Sequence, residues 1–462
     1  MVTVIGCGYV GLSEGLAFAL LGHQVRFVDT DRAKVDLLRQ GACPFHEPGL
    51  QEALGQTRDR TVYTTNYREA LTGAEVALIA VGTPPGPDGS ADLAQVDQAV
   101  RSLAEDVSSP ELLVAVKSTV PPWSTRRVAR TLGQLRPAVV WRVAANPEFL
   151  RQGWALFDAL YPSRIVIGAT DPATADRLEN FHRELIDRRF PRPAFLPEPV
   201  RPEPVPVVKT SPENAELGKY AANAFLAARV SLINEIANIC DLTGADVTEV
   251  ARTVGLDPRI GPDFLEAGLG YGGSCLPKDT LALCRAAEKA GYVPNLLRAV
   301  MEVNERQRET AIRRLGQILG GLAEARVAVL GLAFKPGTAD LRGAPSLDLI
   351  ARLLKEGAQV RAHDPEAVEA AREHLPPEVR LYPSVAQALE GADAALLVTA
   401  WPEYRALDWV RLRERMRRPV VFDGRNALDP GHLTAAALAY YGVGRRPSAG
   451  RGTLMAAEAS ER

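Results

Sequence analysis

Three short signatures occur twice in this chain, in the same order, and that duplication constrains the fold more than any other feature. TVIGCGYVG from Thr3 returns as RVAVLGLAFKP from Arg326, GHQVRFVDTD from Gly22 as GAQVRAHDPE from Gly357, and GAEVALIAVGTP from Gly73 as GADAALLVTAWP from Gly391. Each set reads as a strand, a glycine turn opening a helix, a second strand and later a third, which is how a sheet built from βαβ units begins. The expectation is an α/β chain with two Rossmann-like, doubly wound parallel-sheet domains joined by a long central helix. The second turn keeps Gly331 but has Phe334 and Lys335 where glycines would stand, so it is not expected to hold a dinucleotide.

Further apolar runs at Val76 to Val81, Leu112 to Val116, Val139 to Ala144 and Arg164 to Ile167 continue the first sheet. Pro191 to Pro206 is too rich in proline for a regular element and reads as a loop before a short strand at Val205 to Val208. From Pro212 to Cys240, Leu217, Tyr220, Ala221, Ala224, Phe225, Ala228, Leu232 and Ile236 recur at three and four residues, predicting the long helix. A helix of that length suits a symmetric partner, so a homodimer through it is expected. Helices are also predicted over 247–254 and 280–315. The boundaries are then 1–205 for the nucleotide-binding domain, 206–319 for a central helical dimerisation domain, 320–444 for the second Rossmann-like domain and 445–462 for a disordered tail.

Composition excludes several functions. The 462 residues carry 54 Lys and Arg against 56 Asp and Glu, a net charge of −2, which gives no basic excess for binding nucleic acid or acidic membranes. No apolar run approaches the roughly 20 residues that span a bilayer. Only Met1 precedes the first strand, so no secretory leader is expected and the protein is expected in the cytoplasm. The five cysteines have no CxxC spacing and the six histidines no HExxH or HxxxH, so neither a disulfide framework nor a metal site is expected.

Gly6, Gly8 and Gly11 form GxGxxG between a strand and a helix, where backbone amides and the helix N-terminus suit a pyrophosphate. Asp29, at the end of the next strand, suits the two ribose hydroxyls and repels a 2′-phosphate, so NAD is expected over NADP. Lys34 reads equally as an adenosine contact or a solvated helix charge. The densest signal is GLGYGGSCLPKD, Gly268 to Asp279, which presents Cys275 at a helix start beside Lys278. A thiolate is stabilised in such a place, making Cys275 the best nucleophile in the chain, with Asp279 one turn on. Lys219 and Asn223, four apart on the long helix, project a cation and an amide suited to an oxyanion. In NPEFLRQG, Glu148 offers a base, although a turn with surface charges explains that segment equally well.

These residues, in this order, resemble the family of nucleotide-sugar 6-dehydrogenases. The likeness runs through EPGL (Glu47 to Leu50), VGTP (Val81 to Pro84), STVPP (Ser118 to Pro122), NPEFLRQG, ELGKYAANAFLA, RIG (Arg259 to Gly261), GYGGSCLPKD, FKPGTADLR and DGRN (Asp423 to Asn426). The resemblance implies oxidation of a sugar C6 alcohol to a carboxylate by two NAD, through a Cys275 thiohemiacetal and thioester. It implies that Lys219, Asn223 and Asp279 serve the oxyanion and water, and that Glu148 and Thr119 assist proton transfer, with the general base left open. It implies cofactor contacts from Gly6, Gly8, Val10, Gly11, Asp29, Lys34, Thr83, Thr119, Gln152, Lys278 and Arg342. Contacts to a UDP-sugar are implied for Glu148, Phe149, Leu150, Arg151, Gln152, Lys219, Asn223, Arg259, Phe264, Leu265, Glu266, Ala267, Gly268, Gly272, Lys335 and Arg425, Arg259 reaching across the dimer. Two departures stand out: Gln152, where the family commonly has an acid and which cannot take a proton, and Glu266, where some relatives have a basic residue. UDP-glucose is the implied substrate. Ser274 before Cys275, in place of the His of GGHC, disfavours an N-acetylated hexosamine, while GDP-mannose stays open. Outside this family, a two-electron hydroxyacid-type dehydrogenase and a noncatalytic NAD-binding redox sensor are the competing readings.

Overall fold

The computed structural model describes residues 1–199 and 204–448. Contacts divide the chain into two units, Met1–Ala222 with Leu281–Ala290, and Asn223–Thr280 with the chain from Gly291 onward.

The first unit is built on an eight-stranded sheet. Its strands are β1 (Val2–Ile5), β2 (Val25–Val28), β3 (Thr61–Thr64), β4 (Val76–Ile79), β5 (Glu111–Val116), β6 (Val140–Ala145), β7 (Ile165–Ala169) and β8 (Val207–Thr210), in the order β3-β2-β1-β4-β5-β6-β7-β8. Apolar layers cover both faces: β5 sends Leu112, Val114 and Val116 to one and Leu113 and Ala115 to the other. That two-sided burial is why the strands read as unbroken apolar runs rather than alternating ones. One pair departs from the expected parallel sheet, because β7 runs antiparallel to β6. The connection between them carries only a six-residue helix, Ala155–Leu160, and the chain re-enters the sheet reversed. The strand expected at 205–208 forms two residues later as β8, beside β7.

The second unit carries β9 (Arg326–Leu330), β10 (Gln359–His363), β11 (Arg380–Leu381), β12 (Ala394–Leu397), β13 (Val420–Asp423) and β14 (Ala439–Gly442), all parallel, in the order β11-β10-β9-β12-β13-β14. This repeats the order of the first six strands, and the register repeats too. Val2 faces Val25 and Val327 faces Val360; Ile5 faces Val28 and Ile79, and Leu330 faces His363 and Leu397. The register corrects one detail of the sequence comparison. Counted from Gly331, the places of Gly8 and Gly11 are taken by Ala333 and Pro336, not by Phe334 and Lys335.

Five helices matter for the chemistry: α1 (Tyr9–Leu20), α2 (Pro212–Thr243), α3 (Val247–Gly255), α4 (Leu276–Lys289) and α5 (Asn295–Leu319). The 32 residues of α2 run through both units. The single helix predicted over 280–315 is two, because Gly291 adopts φ +84° and Pro294 stands at the N-cap of α5. Neither residue continues a helix. Of the tail expected to be disordered, Arg445 pairs with Asp246 at 3.2 Å and Ser448 bridges to Tyr440, while residues 449–462 lie outside the described residues. No helix among the described residues is long and apolar enough to cross a membrane.

Candidate active site

In the first unit the glycine turn is shaped by close contact. Gly6 adopts φ +98°, and a Cβ on Gly11 would lie 1.9 Å from the Gly6 carbonyl oxygen. Gly8 differs, since nothing lies within 4 Å of where its Cβ would be. No side chain caps α1 at Gly8, and no acidic residue stands in its first turn, which includes Val10. A helix end of this kind favours an anion. Asp29, at the end of β2, accepts from the Cys7 amide at 2.7 Å and the Asp31 amide at 2.9 Å, and Lys34 Nζ lies 3.2 Å away. Lys34 thus faces Asp29 instead of extending into solvent. Buried Thr83 donates to the Thr119 carbonyl at 2.9 Å, tying the turns after β4 and β5 together. A glycine turn at a helix start, with a carboxylate at the end of the next strand bonded to the turn, fits NAD.

The same unit holds Glu148. One of its oxygens lies 3.2 Å from Lys219 Nζ of α2 and the other accepts from the Leu150 amide at 2.5 Å; both side chains are buried. Two cations approach the Phe149 ring, with the Arg164 guanidinium 3.5 Å and Lys219 Nζ 5.3 Å from its centroid. Arg151 is held by Asp158 at 2.7 Å and is largely exposed. Next to half-buried Gln152, the amides of Gly153 and Ala155 both donate to Glu47 at 2.8 Å, which shows what the acid of EPGL does in this fold.

The second unit presents Cys275. The Asp279 amide donates to the Cys275 carbonyl at 2.9 Å, so the cysteine is the residue from which α4 starts, and it is exposed. Asp279 is 1% exposed; Asn223 Nδ2 donates to one of its oxygens and Lys278 Nζ to the other, both at 2.6 Å. Lys278, expected beside the thiol, thus has its ammonium on Asp279. Lys219 and Asn223, expected to serve one oxyanion together, each engage a different carboxylate.

The remaining expected residues divide. Gly272 is required by packing, because a Cβ there would lie 2.3 Å from the Gly343 oxygen. Phe264 adopts φ +61°, Leu265, Ala267 and Gly268 are buried, and Glu266 is exposed. Arg425 donates to the carbonyls of Val398 at 2.6 Å and Gly270 at 3.1 Å. Burial, with Arg308 nearby, pulls its guanidinium down to about 10. Arg259 pairs with Asp257 and Arg342 with Asp340, each two residues away in sequence, and Lys335 Nζ lies 5.6 Å from the Phe334 ring. Among the described residues no group of three His, Cys, Asp or Glu could hold a metal ion. A cavity of about 680 Å³ in this unit, lined by His363, Asp364, Pro383, Tyr404 and Leu412, contains none of the expected cofactor, substrate or catalytic residues. Sequence reasoning missed Asn234, Asn304 and Gln307, buried amides that hold the Cys275 loop; the only available signal was their polar character on apolar helix faces.

Three family models match the chain: the NAD binding domain of the UDP-glucose/GDP-mannose dehydrogenase family over residues 1–186, its central domain over 213–306 and its UDP binding domain over 328–430. The UDP-glucose 6-dehydrogenase TuaD of Bacillus subtilis is 41% identical, covering 96% of this chain and 93% of its own. A UDP-glucose 6-dehydrogenase of Pseudomonas aeruginosa is 43% identical over 98% and 99%. Among solved structures, a UDP-glucose dehydrogenase from the hyperthermophilic archaeon Pyrobaculum islandicum superposes with a TM-score of 0.86 at 40% identity, covering 96% of this chain and 98% of that one.

Proposed function

This chain belongs to the UDP-glucose/GDP-mannose dehydrogenase family, and from that premise we propose that it oxidises UDP-glucose to UDP-glucuronate in two steps, through a thiohemiacetal and then a thioester on Cys275. It is an NAD-dependent oxidoreductase. NAD, once bound, accepts one hydride in each oxidation; the other tasks fall to residues of this chain. The observation that carries the reading is an exposed thiol at the start of α4 with a buried, doubly bonded carboxylate one turn later.

The thiolate adds to the C6 aldehyde left by the first hydride transfer, forming a C–S bond and an alkoxide that takes up a proton. Loss of that proton and of the second hydride leaves the thioester, and attack by water expels the Cys275 thiolate and releases the carboxylate. Lys219 and Asn223 stabilise the oxyanions, each oriented by its own acid, Glu148 or Asp279. Glu148 and Asp279 are the two candidates for activating water, with Thr119 assisting proton transfer and Gln152 positioning water or ribose. Lys335 and Arg425 supply cations for the sugar nucleotide, joined by Arg259 when it leaves Asp257, while Arg342, freed from Asp340, serves the NAD. The nucleotide is received by residues of the second half, as the UDP binding domain model there supports.

A homodimer through residues 206–319 completes the proposal. Phe225, Leu232, Ile239 and Leu242 of α2 are exposed to 69%, 61%, 49% and 89%, an apolar stripe at helical spacing. Light scattering on Phe225→Asp/Leu232→Asp would give a monomer; an unchanged mass would remove α2 from the interface.

The reaction is tested by counting NADH against sugar nucleotide consumed, with UDP-glucose, GDP-mannose and UDP-N-acetylglucosamine in turn. Two NADH per UDP-glucose, and no more than one with Cys275→Ser, is the expected result. One NADH with free aldehyde would mean a two-electron enzyme, and NAD binding without turnover of any sugar nucleotide would mean a redox sensor. Intact mass of Glu148→Gln and Asp279→Asn during turnover identifies the base, since the variant lacking it accumulates the acylated enzyme.

A further inference from the structure

The segment Gly268 to Ser274 has no regular structure, yet it is almost entirely buried. Its backbone polar groups must find partners other than a helix or sheet ladder, since each one left unpaired would be costly. They are met by side chains. Asn234 of α2 accepts from the Gly268 amide at 2.8 Å, and Gln307 of α5 donates to the Gly268 carbonyl at 2.9 Å. Three residues on, Asn304 of α5 takes the Tyr271 peptide at both ends: Oδ1 accepts from the amide at 2.7 Å and Nδ2 donates to the carbonyl at 3.1 Å. Arg308 donates to the same carbonyl at 2.9 Å. Asn304, Gln307 and Asn234 are 7%, 3% and 0% exposed, and Gln307 is itself held by Asn238 Nδ2 at 2.9 Å. Contact is close as well, since a Cβ on Gly270 would lie 2.5 Å from Asn304 Oδ1.

We propose that Asn304 and Gln307 are positioning residues for Cys275, fixing the loop so that the thiol is delivered at the N-terminus of α4. The two side chains lie one turn apart on the same face of α5 and grip the loop at Tyr271 and Gly268. Three residues separate the nearer grip from Cys275, and two of them, Gly272 and Gly273, are confined by Gly343 and Phe334. A leucine at 304 or a methionine at 307 keeps the volume but removes the grip, and the thiol loses its fixed place against the α4 amides that stabilise its thiolate. The role adds to the Cys275 chemistry proposed above, and its test does not depend on the sugar.

The probe is iodoacetamide, with alkylation of Cys275 followed by peptide mass against pH in the full-length enzyme and Cys275→Ser as the blank. Asn304→Leu and Gln307→Met are expected to slow alkylation at pH 7 by about tenfold and to move its pH midpoint upward. The kcat for NADH formation should fall by a similar factor while the KM for NAD stays within about twofold. Asn304→Asp, which keeps the acceptor for the Tyr271 amide, should fall between wild type and Asn304→Leu. If Asn304→Leu does not fold, Gln307→Met carries the same test. A folded variant with the wild-type alkylation profile overturns the proposal, even if its melting temperature has dropped. A shifted profile upholds it even where the wild type oxidises no sugar nucleotide, an outcome that would count only against the proposed substrate.

Discussion

Asp29 and Asp364 stand at the same place in two sheets of the same register, but their carboxylates are used differently. Asp364 is 1% exposed and accepts five hydrogen bonds among the described residues, from the amides of Leu332, Ala333, Glu366 and Ala367 and from the Trp401 indole. Asp29 accepts from two amides and from Lys34, a side chain able to swing away. The glycine turns differ in parallel. In the first, space is open beside Gly8; in the second, Ala333 takes that place, and a Cβ on Gly331 would meet Thr399 at 2.4 Å. A duplicated sheet thus carries its acid in both copies, lightly held and partly exposed in one and a structural tie in the other. The difference follows from which neighbours reach the carboxylate, not from the strand order.

The strongest way to break this comparison is Asp364→Ala. It would leave several buried donors unpaired and destabilise the protein by about 3–5 kcal/mol in urea unfolding, with the NAD KM of the surviving folded protein unchanged. A loss below 1 kcal/mol, or a raised NAD KM, would contradict the structural role. Asp29→Ala should behave in the opposite way. We expect the NAD KM to rise by about tenfold to a hundredfold, roughly 1.4–2.8 kcal/mol of binding, with little change in unfolding midpoint. A titration of NAD binding by fluorescence separates the two.

Acid sharpens the contrast at a third place. His182, packed against Phe18 of α1 in the first unit, is held down to about 3 by burial and by Lys117. The unfolded chain binds this proton first, so the stability contributed by the neutral ring is complete above pH 6.5 and is lost as pH falls toward 3. At pH 5 the loss amounts to about 2 kcal/mol. His182→Gln, which cannot titrate, should flatten the decline of the melting temperature between pH 7 and 5; an unchanged slope would refute it. The smallest effect is expected from Trp401→Phe, which removes one of the five bonds to Asp364 at a cost of about 1 kcal/mol, measurable in urea and without effect on NAD.

Much of this molecule is legible in the chain alone, for reasons that lie in short-range physics. GxGxxG, the two strand-ending acids and the repeated apolar runs specify both sheets, because turn geometry and two-sided burial act within a few residues. The start of α4 at Cys275 follows from Pro277 and the preceding glycines, and the helical period of α2 from its apolar spacing. The break at Gly291 to Pro294 was equally local and is plain once the positive φ is seen.

Pairings across long stretches of chain were not legible, since a lone Lys, Asn or Gln has many possible partners and only packing chooses among them. Lys219 selects Glu148 and Asn223 selects Asp279, although the two share one helix face. The reversed β7, the five bonds that occupy Asp364, and the grip of Asn304 and Gln307 on the Cys275 loop are of the same kind. The sequence by itself determined the duplicated α/β sheets, the NAD turn and the candidate nucleophile, because these depend on neighbours in the chain. Tertiary structure alone decided which buried polar groups meet, because an unpaired donor or acceptor in the interior is too costly to leave, and the partner that satisfies it can come from anywhere in the fold.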